Sequence, residues 1–289
     1  MLLNLVTETL LPIALFTMMF GIGASTSSRD FFSILATPKS LIVGVCSLSI
    51  ISPLLGLTIA WALKLPAELS LGLVLLASCP GGLFSNYMTA LGRGALALSI
   101  SLTLATSLIY IFAAPIWVQL GVSFFDNDIH EIIVIPYDKI LKPLLVFLLL
   151  PVALGLFFRL KYPDLNSKSN KVVRDIGGVA AILCFILIIY EQRSTFIENF
   201  NLSFPPVLIF NLTTVSIGLV LARLVALNPG DVTALLIEHT IRQEATGIYI
   251  AIAVLGSLTS TMPLLINTII GMGISMFIVL IARRVVRPQ

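Results

Sequence analysis

Apolar stretches of about 20 residues, the length a helix needs to cross a bilayer, recur along the chain. They lie near 3–25, 40–63, 69–91, 95–120, 140–160, 173–190, 205–227, 231–255 and 260–282. The polar segments between them are mostly short. Two are longer, one around Phe125-Asp126-Asn127-Asp128 and one from Lys161 to Arg174. The pattern predicts an all-α membrane protein with nine transmembrane helices. The first stretch has a leader-like ending, with Leu10 to Ile22 followed by Gly23-Ala24-Ser25. It carries Glu8, lacks a basic leader segment and is long enough to span, so it is read as the first span.

Two stretches are interrupted. In the third, the run Leu69 to Ala77 meets Pro80-Gly81-Gly82 where the bilayer midplane falls. Proline removes a backbone donor and clashes with the preceding turn, and glycines favour leaving helical geometry. Freed peptide groups in hydrocarbon cost several kcal/mol each unless they are buried in protein or line a polar cavity. Ser85 and Asn86 follow at once, with oxygens suited to capping a half-helix or holding a cation. An isolated Pro-Gly would read as a kink with a polar interhelical contact. The double glycine and the two oxygen-bearing residues point instead to a functional break, the device from which secondary transporters build substrate sites.

The eighth stretch is the most polar: Ile237-Glu238-His239-Thr240-Ile241-Arg242-Gln243-Glu244-Ala245-Thr246-Gly247. Each formal charge near a midplane costs a few kcal/mol even on lenient insertion scales. Such residues persist where they pair or face water or ions. Two readings stay open: a buried pair of Arg242 with Glu238 or Glu244 that locks helices, and a transport or coupling site. His239 reads either as a proton carrier or as a capped polar side chain. Stretches one to four and six to nine match in length, and the odd one between them inverts the second set. An inverted repeat would make the eighth the counterpart of the third, and so also broken.

Ser99 and Thr103 lie four apart, on one face of the fourth span. Alone they would be expected to bond their own i−4 carbonyls. With Ser85, Asn86 and an acid from the eighth span they would supply five oxygens, a shell suited to Na⁺. Oxygen-only ligation without cysteine or paired histidine argues against zinc or copper.

Composition agrees with the spans. The chain of 289 residues is 58% hydrophobic and 11% charged, against about 25% charged in soluble proteins. It is an integral membrane protein with little room for a water-soluble domain. Twelve of the seventeen lysines and arginines fall on the side that is inner if the N-terminus is outside: Arg29, Lys39, Arg93, Arg159, Lys161, Lys168, Lys171, Arg174, Arg223, Arg283, Arg284 and Arg287. Lys64, Lys139, Lys142 and Arg193 fall on the other, and Arg242 lies within the membrane. The bias predicts N-terminus out, C-terminus in, in a plasma or inner membrane.

Cys46, Cys79 and Cys184 lie in apolar runs and read as buried free thiols. His130 is read as a solvated loop residue. Trp61, Trp117 and Tyr190 read as interface anchors, Gly271-Met272-Gly273-Ile274-Ser275 as a close-packing face, and Asn201-Leu202-Ser203 as a glycosylation sequon on the predicted outer side. No phosphate-binding Gly-Lys-Ser/Thr loop, metalloprotease His-Glu-x-x-His or Gly-x-Ser-x-Gly elbow occurs. Neither an enzyme nor a nucleic-acid-binding protein is expected.

The run Cys79-Pro80-Gly81-Gly82-x-x-Ser85-Asn86, then Leu91-x-Arg93-Gly94-x-x-Ala97-Leu98-Ser99-x-Ser101-x-Thr103, resembles the signature of the bile acid:sodium symporter family. The similarity extends from Met19-Phe20-Gly21-x-Gly23 to the ninth span. It implies an inverted repeat with two crossed discontinuous helices. It also implies a panel domain (about 1–30 and 135–195) and a core domain (about 38–125 and 203–285) that move against each other for alternating access. It implies a sodium site of Ser85, Asn86, Ser99, Thr103 and Glu238. The substrate and coupling segment would comprise Pro80, Gly81, Gly82, Thr240, Arg242, Gln243 and Glu244.

The chain also departs from the family. Aligned on its glutamate, the family's Glu-x-Gly-x-Gln-Asn pattern falls on Glu238, Thr240, Arg242 and Gln243, with arginine in place of a sodium-coordinating glutamine. Aligned on the small residues that follow, Thr240 takes the glutamate's place and Glu244 the glutamine's. Leu48 stands where the second span has another such glutamine. Arg242 then either supplies the charge of a second sodium, leaving one or none coupled, or binds a substrate carboxylate.

The expectation is a secondary active transporter of a small organic anion (bile-acid-like, a steroid sulfate or a small carboxylate). It would be coupled to sodium and use no other cofactor, working as a monomer in the bilayer. The alternatives are a sodium-independent or proton-coupled carrier in which Glu238, His239 or Glu244 titrates, and a channel or receptor-like scaffold.

Overall fold

The computed structural model describes residues 5–25, 38–125, 137–162 and 167–286. Arg29, Asp126, Asn127, Asp128, His130 and Arg287 of the sequence reading fall outside these residues, as do the side chains of Lys168, Lys171 and Arg174.

Among the described residues regular structure is helical, apart from one isolated bridge. The helices are α1 (Val6–Ala24), α2 (Pro38–Ala62), α3 (Ala67–Ser78), α4 (Leu83–Leu91), α5 (Leu96–Phe125), α6 (Tyr137–Lys161), α7 (Ser167–Glu191), α8 (Arg193–Leu224), α9 (Pro229–Thr240), α10 (Glu244–Val254) and α11 (Thr259–Val285). Six of them, α1, α2, α5, α6, α8 and α11, are long and apolar enough to cross a membrane. With large apolar side chains such as Ile42, Phe112, Phe157 and Phe277 on the outside, the chain is a multi-pass membrane protein.

The third and eighth expected spans are each divided into two short helices, α3 with α4 and α9 with α10. Local chemistry explains most of these ends. Cys79, which precedes a proline, is extended (φ −55°, ψ 140°), and this stops α3. α9 starts at an N-cap, with Asn228 Oδ1 accepting from Asp231 N–H at 2.9 Å and Pro229 at the first position. Three spans contain a π turn that ends two residues before a proline: Val6–Leu10 before Pro12, Ser47–Ile51 before Pro53 and Leu145–Leu149 before Pro151. A wider turn relieves the clash of the proline ring with the carbonyl four residues back.

α1 packs along α6 and α7. Its close approach is set by glycine: a Cβ on Gly23 would overlap the Val152 carbonyl, and one on Gly155 the Phe20 carbonyl. α3 lies against α2, α5 and α11, while α9 lies against α4, α5, α8 and α11. A continuous apolar cluster links Leu15 and Met19 of α1 to Leu73 and Leu76 of α3, Tyr110 of α5 and Leu264 of α11.

Three expectations are corrected. Residues 193–204, read as a connection, are helical, so that α8 follows α7 with only Gln192 between them. The Asn201-Leu202-Ser203 sequon therefore lies within a helix, with Ser203 buried. Cys46 is exposed on the outside of α2, although Cys79 and Cys184 are buried. Of the small-residue face, Gly271 packs against the Thr240 carbonyl, whereas Gly273 has open space beside it.

Candidate functional site

The two interruptions meet. Gly81 and Arg242 form an antiparallel bridge, flanked by Gly82 N–H donating to Ile241 O at 3.0 Å and Gln243 N–H donating to Pro80 O at 2.9 Å. Residues freed from two helices thus satisfy each other's peptide groups, which resolves the cost of breaking a helix away from water. Pro80 contributes only an acceptor, and only an acceptor is needed of it. The paired glycines serve for space. Gly82 has φ −92° and ψ 162°, open to any residue, but a Cβ on Gly81 would overlap the Glu238 carboxylate and one on Gly82 the main chain of Arg242.

Glu238, in the last turn of α9, is fully buried. Its Oε1 accepts from Ser85 Oγ at 2.5 Å, Ser99 Oγ at 2.6 Å and Thr103 Oγ1 at 3.2 Å, and Thr103 also reaches Oε2 at 3.3 Å. The first turn of α4, one face of α5 and the end of α9 therefore converge on one carboxylate. Ser99 and Thr103 turn away from their own i−4 carbonyls, unlike Ser101 and Thr106, which bond Ala97 O and Leu102 O at 2.7 Å. Four of the five predicted oxygen-bearing residues are joined directly. The fifth, Asn86, stands in the same turn of α4 with Oδ1 buried and unpartnered. Thr89 extends the cluster by donating to Ser99 Oγ at 3.3 Å. Clustered oxygens around one buried carboxylate, with a free amide oxygen beside them, are the kind of donors that a hard cation takes.

Arg242 is equally buried, at 1% exposure, but it does not pair with an acid. No carboxylate of the described residues lies within 4 Å of its guanidinium, so the locking ion pair considered from the sequence is not formed. Nη1 donates to Cys79 O at 2.9 Å, Nη2 to Ser52 Oγ at 2.7 Å and Nε to His239 O at 3.2 Å. The ring centroid of Phe210 lies 5.9 Å from the guanidinium carbon.

The remaining predicted residues surround this pair. Thr240 bonds within its helix, to Ile237 O at 2.9 Å. Glu244, first residue of α10, accepts from Asn267 Nδ2 at 2.8 Å, and Asn267 Oδ1 accepts from Asn211 Nδ2 at 2.7 Å. Gln243 donates to Met19 Sδ at 3.7 Å and leaves Oε1 buried and unpartnered. His239 lies 3.0 Å from Ser47 Oγ through Nε2. A crevice between the crossover and the α1–α7 pair is lined by Met18, Gly82, Leu83, Phe84, Phe185, Gln243 and Glu244, among others. It brings the start of α4 next to that of α10. Sequence reasoning missed Ser52, Thr89, Phe210, Asn211 and Asn267. Of these, only the two asparagines, solitary amides in apolar spans, carried a signal that could have been read.

Comparison with known proteins gives the same direction. The chain is 26% identical over 81% of its length to an uncharacterised sodium-dependent transporter, YocS, of Bacillus subtilis, covering 71% of that protein. It is 28% identical over 64% of its length to the ileal sodium/bile acid cotransporter of Oryctolagus cuniculus, covering 52% of it. It is 24% identical over 92% of its length to the probable sodium/metabolite cotransporter BASS1, chloroplastic, of Arabidopsis thaliana, covering 65% of it. The chain spans about half the length of the ileal relative. Residues 12–199 match the Sodium Bile acid symporter family, whose members are transporters and not enzymes, and the chain belongs to that family.

Proposed function

We propose that this protein is a sodium-coupled symporter that carries a small organic anion by alternating access, with Na⁺ held by Ser85, Asn86, Ser99, Thr103 and Glu238. The observation that carries the reading is the buried carboxylate of Glu238 receiving three hydroxyls from two other helices. Rotated toward an ion, those hydroxyls present lone pairs, and the unpartnered Asn86 Oδ1 adds a further donor. Filling this site would tie α4, α5 and α9 together and so favour one arrangement of the crossover.

In this reading the anion sits in the crevice beside the crossover, where the free N–H groups and positive end of α4 begin at Leu83. Thr240, Gln243 and Glu244 border or support it. α1, α6 and α7 act as a panel, and α2–α5 with α8–α11 as a core that moves against it in a nine-span inverted repeat. The packing of α1 on α6 and α7 supports that division. The N-terminus faces out and the C-terminus in, following the basic residues.

The test is uptake of a panel of labelled carboxylates and steroid sulfates into proteoliposomes, with sodium and then potassium outside and with pH varied. The expected result is saturable accumulation that needs sodium. Accumulation driven by a pH gradient in potassium would transfer the coupling role to protons, and flux without saturation would make the protein a channel.

A further inference from the structure

Two helix C-termini converge at the crossover, and both are occupied by the same side chain. α3 ends at Ser78, and the main-chain carbonyl of its C-cap residue, Cys79, accepts from Arg242 Nη1 at 2.9 Å. α9 ends at Thr240, and the carbonyl of His239 in its last turn accepts from Arg242 Nε at 3.2 Å. Helix C-termini carry partial negative charge, and the unwound carbonyls of broken membrane helices are groups that hold monovalent cations.

We propose that Arg242 is a resident cation at this point, fixed to the chain where a mobile ion could otherwise bind, and that the crossover therefore takes up one sodium ion rather than two. This rests on the reading of the Glu238 cluster as the sodium site. Every guanidinium nitrogen has a protein acceptor: the third is Ser52 Oγ at 2.7 Å, which itself donates to Ala77 O at 2.9 Å, in the last turn of α3. Three of its five N–H donors are thus held by protein acceptors, which fixes the guanidinium as part of the frame.

Charge balance leads to the same count. The crossover contains two buried carboxylates, Glu238 and Glu244, and one buried cation, Arg242. With both acids ionised, a single Na⁺ at Glu238 closes the site at neutrality. Before the anion enters, a second Na⁺ would leave a net positive charge in surroundings that penalise it strongly. Carriage of a monovalent anion with one sodium would then be electroneutral.

The experiment measures radiosodium bound per chain for the purified wild type, Glu238→Gln, Arg242→Lys and Arg242→Ala. In parallel, melting temperature is followed in potassium buffer with and without millimolar guanidinium. The wild type and Arg242→Lys are expected to bind one sodium and Glu238→Gln none. Arg242→Ala is expected to melt lower than wild type, to regain stability with guanidinium, and to bind two sodium ions. Two sodium ions bound to the wild type or to Arg242→Lys would overturn the proposal, even if Arg242→Ala fails to fold. So would an Arg242→Ala protein that melts like wild type and ignores guanidinium. No sodium bound by the wild type would overturn the sodium reading and the one-ion count together. The guanidinium response would then still decide whether Arg242 fills a cation position.

Discussion

Gly81 lies against the carboxylate of Glu238, so closely that a methyl group on its Cα would overlap Oε2. The break in one helix and the acid of the other are therefore a fitted pair. Gly81→Ala must push Glu238 away from Ser85, Ser99 and Thr103 or separate the bridged strands. The expected outcome is loss of sodium-stimulated uptake by at least about tenfold, with about 1–3 kcal/mol of destabilisation from overpacking. Uptake and melting temperature measured on the same preparation check it.

Ser99 donates to Glu238 at 2.6 Å, and a hydrogen bond to a charged group contributes about 1.5–3 kcal/mol. In the proposed sodium-bound protein the same oxygen would become an ion ligand. Ser99→Ala is expected to raise the sodium concentration for half-maximal uptake by about tenfold or more while leaving uptake at saturating sodium within about twofold. Ser101→Ala, which removes a hydroxyl bonded to its own helix at Ala97 O, is the control and should change neither.

Asn267 bridges Glu244 and Asn211. Replacing it with leucine strips the Glu244 carboxylate of its side-chain donor in a buried position, at a cost of about 1–3 kcal/mol. Asn267→Leu should lower the melting temperature clearly, and Asn267→Asp, which sets two acids side by side, should lower it further. Equal stability of all three proteins would mean that the Glu244–Asn267–Asn211 chain contributes nothing.

Lys64 and Arg93 occupy turns with positive φ (49° and 57°), at the ends of α2 and α4. With the N-terminus outside, they lie on opposite faces of the membrane. In intact cells, an impermeant thiol reagent should label Lys64→Cys and should reach Arg93→Cys only after permeabilisation. The reverse pattern would invert the topology.

How much of this was legible in the sequence depended on distance along the chain. The break at Pro80 was readable because proline and its predecessor act on their own backbone. Ser85, Ser99 and Thr103 were readable because helical spacing places them on single faces. The break after Thr240 has no proline or glycine at the point where the helix ends, and only its charges and the inverted symmetry marked it. The role of the glycines was read as conformational and proved steric, since the atoms they make room for belong to residues more than 150 positions away. Ser52, which accepts from Arg242 across 190 residues, had no local signature at all. The start of α8 was misplaced because the apolar run begins only near 205, whereas the more polar residues 193–204 before it are already helical.

The sodium role of Glu238 is tested most directly by uptake into proteoliposomes under an inward sodium gradient, comparing wild type with Glu238→Gln. Glutamine keeps the shape and an acceptor for the surrounding hydroxyls but removes the charge that balances the ion. Concentrative, sodium-driven accumulation is predicted for the wild type, and its complete loss for a folded Glu238→Gln protein. Sodium-driven accumulation that survives in Glu238→Gln would contradict the account.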